Sequence, residues 1–287
     1  MKIDLLHSEV RGQKENLPLL IIKPSKGWCV DLREIWYYRE LLYFFVWRDI
    51  KVRYKQTLIG AGWAILQPLL TMIIFTIFFG KIAKLPSEGI PYPIFSYSGL
   101  LLWTYFSSAV LNSSNSLIGN ANLITKVYFP RIIVVFSSAV EGMIDYFIAI
   151  SILFLMMMFY KISLNLYVII TPFLLFLAFL SATGIGLWLS ALNVKYRDVR
   201  YAIPFFVQLL LFTTPVIYPS NIISEKFRWL FYLNPISGII DAHRACILGY
   251  KPIDLSSLGI SILVSIFLFI TGALYFGRTE RLFADII

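Results

Sequence analysis

The sequence predicts an all-α polytopic membrane protein. It has six transmembrane helices, an N-terminal amphipathic interfacial helix, and short re-entrant or gate helices between the fifth and sixth spans. Three observations carry this. Hydrophobic residues are 59% of the 287 and charged residues only 14%, against roughly 45–50% and about 25% in soluble domains. Mean hydropathy is +0.76. Several apolar runs reach the ~20 residues that cross a bilayer. A soluble enzyme, a disordered chain and a collagen-like chain are excluded. Six spans of ~20 residues take ~120, so no large soluble catalytic domain fits beside them.

Residues 1–30 are polar and mixed, with Pro18 and Pro24, and read as a weakly ordered cytoplasmic lead. In residues 31–59 Leu32, Ile35, Trp36, Tyr43, Val46, Trp47, Ile50 and Tyr54 recur every three or four positions, with most charges between them. That pattern, with a basic end, suits a helix lying along the membrane interface. The spans follow at about 60–80, 94–117, 132–159, 165–191, 201–218 and 258–276, with a tail at 278–287. Residues 1–59 are too charged for a signal-peptide core, so the first span is expected to remain as an anchor. Between the last two spans, Phe227–Leu233 and Ile236–Leu248 are broken by Asn234-Pro235 and Gly238. Each piece is too short to cross, so 219–248 reads as a pair of re-entrant or surface helices.

The net charge of +9 does not point to nucleic acid, because Lys and Arg cluster beside apolar runs rather than in a basic domain. With the N-terminus in the cytoplasm and six spans, inside segments hold 18 Lys and Arg and outside segments 7. The bias places both termini in the cytoplasm.

Absent motifs narrow the chemistry. No GxxxxGK[ST] loop is present, so the chain is expected to hold no ATP. No HExxH, GxSxG or His-Cys cluster is present either, and no metal site is expected. His7 lies in the lead, and His243 sits beside Arg244 in the broken segment. Cys29 and Cys246 lie too far apart in sequence to form a ligand pattern. Glu141 and Asp145, four apart near the start of the third span, must face the bundle interior or water. They want Arg131 or a base on another helix as partner. Catalysis is the minor alternative for this pair. Phe75, Phe205, Phe206 and Phe212 are candidates for an aromatic path, since sugar rings stack their C–H faces on aromatic rings, although apolar side chains face lipid by default. Loops 119–131 and 193–200 are ordered, polar connectors against which a partner can push.

Five strings in order carry a resemblance over about residues 31–277: RYKQTLIGAGWAILQPL (53–69), LITKVYFPR (123–131), LNVKYRDVR (192–200), TPVIYP (214–219) and YLNPISGIIDAHRACILG (232–249). The chain resembles the ABC-2 type permeases of bacterial polysaccharide exporters, the O-antigen, capsule and teichoic acid group. That resemblance implies two permease copies working with two separate ABC ATPase subunits in the bacterial inner membrane. ATP and Mg would then bind on the ATPases, with no cofactor on this chain, and the cargo would be a lipid-linked glycan. It implies coupling to the ATPase through Asn120, Leu123, Lys126, Tyr128 and Arg131, and an outer gate with Trp229, Asn234 and Pro235. The alternatives are an ABC-2 exporter of small molecules and a membrane-embedded transferase on lipid-linked sugars, the latter resting on Glu141 and Asp145 alone.

Overall fold

The computed structural model describes residues 3–6, 19–22, 32–55, 60–196 and 198–286. His7, Cys29 and most of the lead lie outside the described residues, as does Arg197 of the second connector. Within the lead, β1 (Ile3–Leu6) and β2 (Leu19–Ile22) pair antiparallel, Ile3 opposite Ile22 and Leu6 opposite Leu19. Both are short aliphatic runs, which suits a pleated ladder where no regular element was expected.

The other regular elements described are helical. The interfacial segment forms α1 (Leu32–Tyr37) and α2 (Arg39–Lys55), separated at Tyr38. Then come α3 (Gly62–Phe75), continued by a π-helical stretch over Thr76–Ile82, α4 (Tyr92–Gly119), the one-turn α5 (Ala121–Ile124) and α6 (Ile132–Phe159). A 3-10 turn at Leu166–Ile170 leads into α7 (Thr171–Lys195), followed by α8 (Val199–Phe212), α9 (Glu225–Phe231), α10 (Pro235–Leu248) and α11 (Leu255–Ile286). Five stretches are long and apolar enough to cross a membrane: Gly62–Ile82, Tyr92–Gly119, Ile132–Phe159, Leu166–Lys195 and Leu255–Glu280. The fifth expected span is represented by α8, whose 14 residues rise only about 21 Å. Pro204 and the end of the helix at Phe212 limit it, since proline removes a backbone donor.

Helix α4 is the hub, packing against α3, α6, α7, α8 and α10. It is the least apolar and most enclosed of the five long helices. Its polar end explains both properties. Asn112 Nδ2 donates to Glu141 Oε1 at 2.8 Å, Ser113 Oγ to the Val135 carbonyl at 3.2 Å, and Asn193 Nδ2 to the Ser114 carbonyl at 3.0 Å. Groups that lipid cannot satisfy find partners on α6 and α7. Helices α7 and α11 lie against each other at small residues. A Cβ on Gly272 would stand 2.4 Å from the Gly184 carbonyl oxygen, and one on Gly184 2.7 Å from the Phe269 nitrogen. Close approach through glycine and serine is the packing mode expected where lipid supplies no hydrophobic drive. Ser181 and Ser265 hydroxyls meet at 2.6 Å, and Trp188 stacks on Tyr275 at 4.3 Å, across the same contact.

Because successive long helices run in opposite directions, the bundle has two ends. The near end gathers α2, α5 and the starts of α3 and α6. The far end gathers α9, α10 and the starts of α4, α7 and α11. Each has its own apolar cluster, around Phe45, Phe129, Ile133 and Phe276 at the near end and around Tyr97, Leu174, Ile239 and Ile247 elsewhere.

Candidate functional site

Three groups of polar residues stand out. At the near end, α2 runs alongside α6. Phe45 packs edge-on against Phe129, and Arg48 Nη2 donates to Asn120 Oδ1 at 2.8 Å. Ten residues after Phe45, the helix ends against the two carboxylates of α6. Arg53 lies 2.7 Å from Asp145 Oδ2 and 3.1 Å from Glu141 Oε1. The Tyr54 hydroxyl donates to Asp145 Oδ1. Burial first, then the hydrogen bond to Asp145 and its charge, push the Tyr54 phenol well above its ordinary range, so it stays a donor. Of the two partners expected for this pair, the base on another helix is found, as Arg53, and Arg131 lies elsewhere. Its backbone N–H reaches Glu280 Oε1 at 3.0 Å and its guanidinium donates to the Glu280 carbonyl, tying the start of α6 to α11. Glu141 and Asp145 stand about 14 and 20 Å along the helix from Ile132. That places them beside the end of α2 and well past Arg131.

In the stripe read on 31–59, Trp36, Tyr43 and Trp47 are exposed. Phe45, which is not in it, is the residue of α2 that is buried. Apolar side chains occupy both sides of α2, one against α6 and one outward, so periodicity alone did not distinguish them.

Beside the ion-paired carboxylates lies a niche of about 170 Å³ between α3, α4 and α6. Trp63 and Gln67 line it from α3, Thr104, Tyr105 and Ser107 from α4, and Asp145 and Tyr146 from α6. The Tyr105 ring is 2% exposed and its hydroxyl has no hydrogen-bond partner.

At the far end every residue of α10 is buried, which removes the surface-helix alternative for Pro235–Leu248. Asn234-Pro235 opens it with proline at its first position, where a missing N–H costs nothing. Gly249 closes it at φ +62°, a conformation glycine adopts without strain. Asn234 Nδ2 donates to Thr214 Oγ1 at 2.9 Å. Fully buried Arg244 donates to the carbonyls of Pro215 and Val216 at 2.9 and 3.2 Å and lies 3.8 Å over the Phe95 ring. Tyr92 donates to the Ile217 carbonyl at 2.7 Å. The segment after α8, which makes few backbone bonds of its own, is thus held by side chains from α4 and α10. Asp241 accepts from Ser220 and, at 3.1 Å, from Lys251. His243 Nε2 stands 2.7 Å from the Tyr146 hydroxyl, a packing contact with no carboxylate in it.

The remaining sequence candidates separate. Phe75 is buried and packs edge-on against Phe79 at 5.4 Å, so it belongs to the bundle core in this conformation. Phe78, in the π-helical continuation of α3, is exposed. Phe205, Phe206 and Phe212 are exposed on α8. Lys126 and Tyr128 are exposed on the near-end connector, and Leu123 is half-buried against the near-end core. Trp229 is exposed on α9. Sequence reasoning missed Arg53, Tyr54, Arg244 and the niche. Arg53 lay at the head of the first matched string, but its partners are 88 and 92 positions away. Among the described residues no group of His, Cys, Asp and Glu is placed to hold a metal ion.

A bundle of long apolar helices around a central helix with a polar end is the architecture of an integral membrane protein. The chain belongs to the ABC-2 type transporter family, whose model matches residues 40–248. It is similar to an O-antigen export system permease protein RfbA of Klebsiella pneumoniae, 28% identical over 252 residues, covering 88% of this chain and 96% of the relative. The RfbA protein of Myxococcus xanthus is 28% identical over 259 residues, covering 89% and 98%. The polysialic acid transport protein KpsM of Escherichia coli is 26% identical over 245 residues, covering 82% and 92%.

Proposed function

We propose that this chain is the permease subunit of an ABC exporter that moves a lipid-linked polysaccharide across the bacterial inner membrane. ATP hydrolysis occurs on a separate ATPase subunit. The observation that carries this is the similarity to three glycan-export proteins along nearly the full length of both partners. In this reading two copies of the chain enclose the path. The walls come from α3 and α8, whose apolar faces are the most open of the bundle, with Phe78, Phe205, Phe206 and Phe212 as stacking surfaces. With Thr213–Pro219, α8 completes the sixth crossing, which returns the C-terminus to the cytoplasmic side. The near end faces the cytoplasm. There Asn120, Leu123, Lys126 and Tyr128 meet the ATPase, while Arg131 braces α6 on α11. The far end, with α9, Trp229 and Asn234-Pro235, is the outer gate.

The ion-paired carboxylates favour this over the transferase alternative. Glu141 and Asp145 both contact Arg53, so neither is a free acid or base. Deleting the chain tests the proposal. Surface glycan is expected to vanish while lipid-linked glycan accumulates on the cytoplasmic leaflet. Unchanged surface glycan in the deletion strain would refute export by this chain.

A further inference from the structure

We propose that the niche between α3, α4 and α6 is a recognition site for one neutral, hydroxyl-rich sugar ring of the exported glycan, reached from the near end. The proposal rests on the export reading above and adds a substrate class and a place.

Size comes first. At about 170 Å³ the niche is smaller than the roughly 300–1,000 Å³ of sites for drug-sized ligands. It is on the scale of a single sugar ring rather than a polymer segment.

Polarity is the second point. Gln67 is exposed on α3 within an apolar span, and an amide facing hydrocarbon has no way to satisfy itself. Hydroxyls both donate and accept, which matches an amide and a carboxylate in one wall.

Charge excludes the main competitor, an anionic phosphate. The one acidic side chain in the niche wall is Asp145, and no Lys or Arg lines it. Its neighbour Arg53 is shared between Asp145 and Glu141, so the cluster of one guanidinium and two carboxylates leaves no free positive charge. A phosphate or an acidic sugar would meet a like charge. A neutral sugar would meet acceptors, since each carboxylate oxygen keeps a lone pair beyond its bond to Arg53 or Tyr54. Trp63, 51% exposed at the rim, supplies the flat apolar face on which the C–H side of a sugar ring rests.

The test uses the full chain with its ATPase in cells labelled with a tritiated neutral hexose. Trp63 is replaced by the photo-reactive p-benzoylphenylalanine, and Phe176, exposed on α7, carries the same group as control. Ultraviolet light is expected to attach tritium at position 63 at least fivefold above position 176. Gln67→Leu is expected to lower that label severalfold with membrane abundance kept. If the position 63 chain does not accumulate, the group at Ser107 gives the same reading. Equal label at 63 and 176, or a position 63 adduct containing lipid phosphate but no hexose, overturns the niche. The deletion strain separates the two ideas. If surface glycan is lost there but position 63 stays unlabelled, export stands and the niche falls.

Discussion

Arg53 shows what one side chain can hold in place. It ends α2 against two carboxylates on α6, and all three side chains are at least two-thirds shielded from solvent. Arg53→Ala leaves two carboxylates without their shared cation, at about 1–3 kcal/mol of lost stability. The purified variant is expected to melt earlier. Adding Glu141→Gln and Asp145→Asn should restore most of the loss, because the neutral pair no longer needs a cation. A triple variant no better than Arg53→Ala would mean that packing of α2, not charge, holds the joint. Arg244 is the far-end counterpart, with Gly99 making room for it. A Cβ at Gly99 would stand 2.4 Å from Nη2. Arg244→Leu strips the Pro215 and Val216 carbonyls of their donor, and a drop in thermal midpoint with Gly99→Val behaving alike is the expected reading. These residues show the limit of the sequence. The carboxylate pair was visible as two acids on an apolar helix. Its partner was not, because no periodicity relates positions 53 and 145. Arg244 was noted beside His243, but nothing local says that its partners are the carbonyls of a segment 28 positions earlier.

Helices were legible where their pattern is long and one-sided, and less so where two environments compete. α4, α6 and α11 announce themselves by length. α2 does not show which of its faces is inward, because membrane and protein both reward apolar side chains. α8 was read as running to residue 218 from hydropathy. It stops at Phe212, since Thr213–Pro219 passes its carbonyls to Arg244 and Tyr92 instead of to its own backbone. At the α7–α11 contact, Gly184→Leu has no space to enter, and overpacking of this kind costs about 1–3 kcal/mol. Reduced membrane abundance is expected, with Gly119→Leu, where a Cβ meets nothing, as the tolerated comparison. The near-end connector gives a different test. Lys126 is exposed, so Lys126→Glu should leave abundance intact and lower export severalfold if the connector meets an acidic ATPase surface. Arg131 is unsuited to that test because its contact with Glu280 is part of the fold. Unaltered export in Lys126→Glu would take that residue out of the coupling surface.

Taken whole, the molecule hides its polar helix and displays its apolar ones, the reverse of a soluble bundle. Composition alone made the class legible, and the five strings made the family legible. The niche was not, because its wall is assembled from positions 63 to 149 by three separate helices. The proposed topology has a direct check in a cysteine-free background. A cysteine at Ser224, exposed at the far end, should react with an impermeant thiol reagent applied to spheroplasts. One at Thr125, exposed at the near end, should react only after lysis. The opposite pattern would invert the membrane orientation.

The hub position of α4 also bears on how the chain is made. α4 is synthesised before α6 and α7, yet Asn112, Ser113 and Ser114 find their partners there, at Glu141, Val135 and Asn193. About 80 residues must therefore leave the ribosome before the last of those partners exists. During that interval the polar end of the second span lacks those partners and is poorly suited to leave an insertion channel for lipid. Its release is then a collective event, timed by the arrival of α7 rather than by its own hydropathy. A nascent chain arrested after Gly119 should remain beside the insertion machinery, while one arrested after Lys195 should have left it.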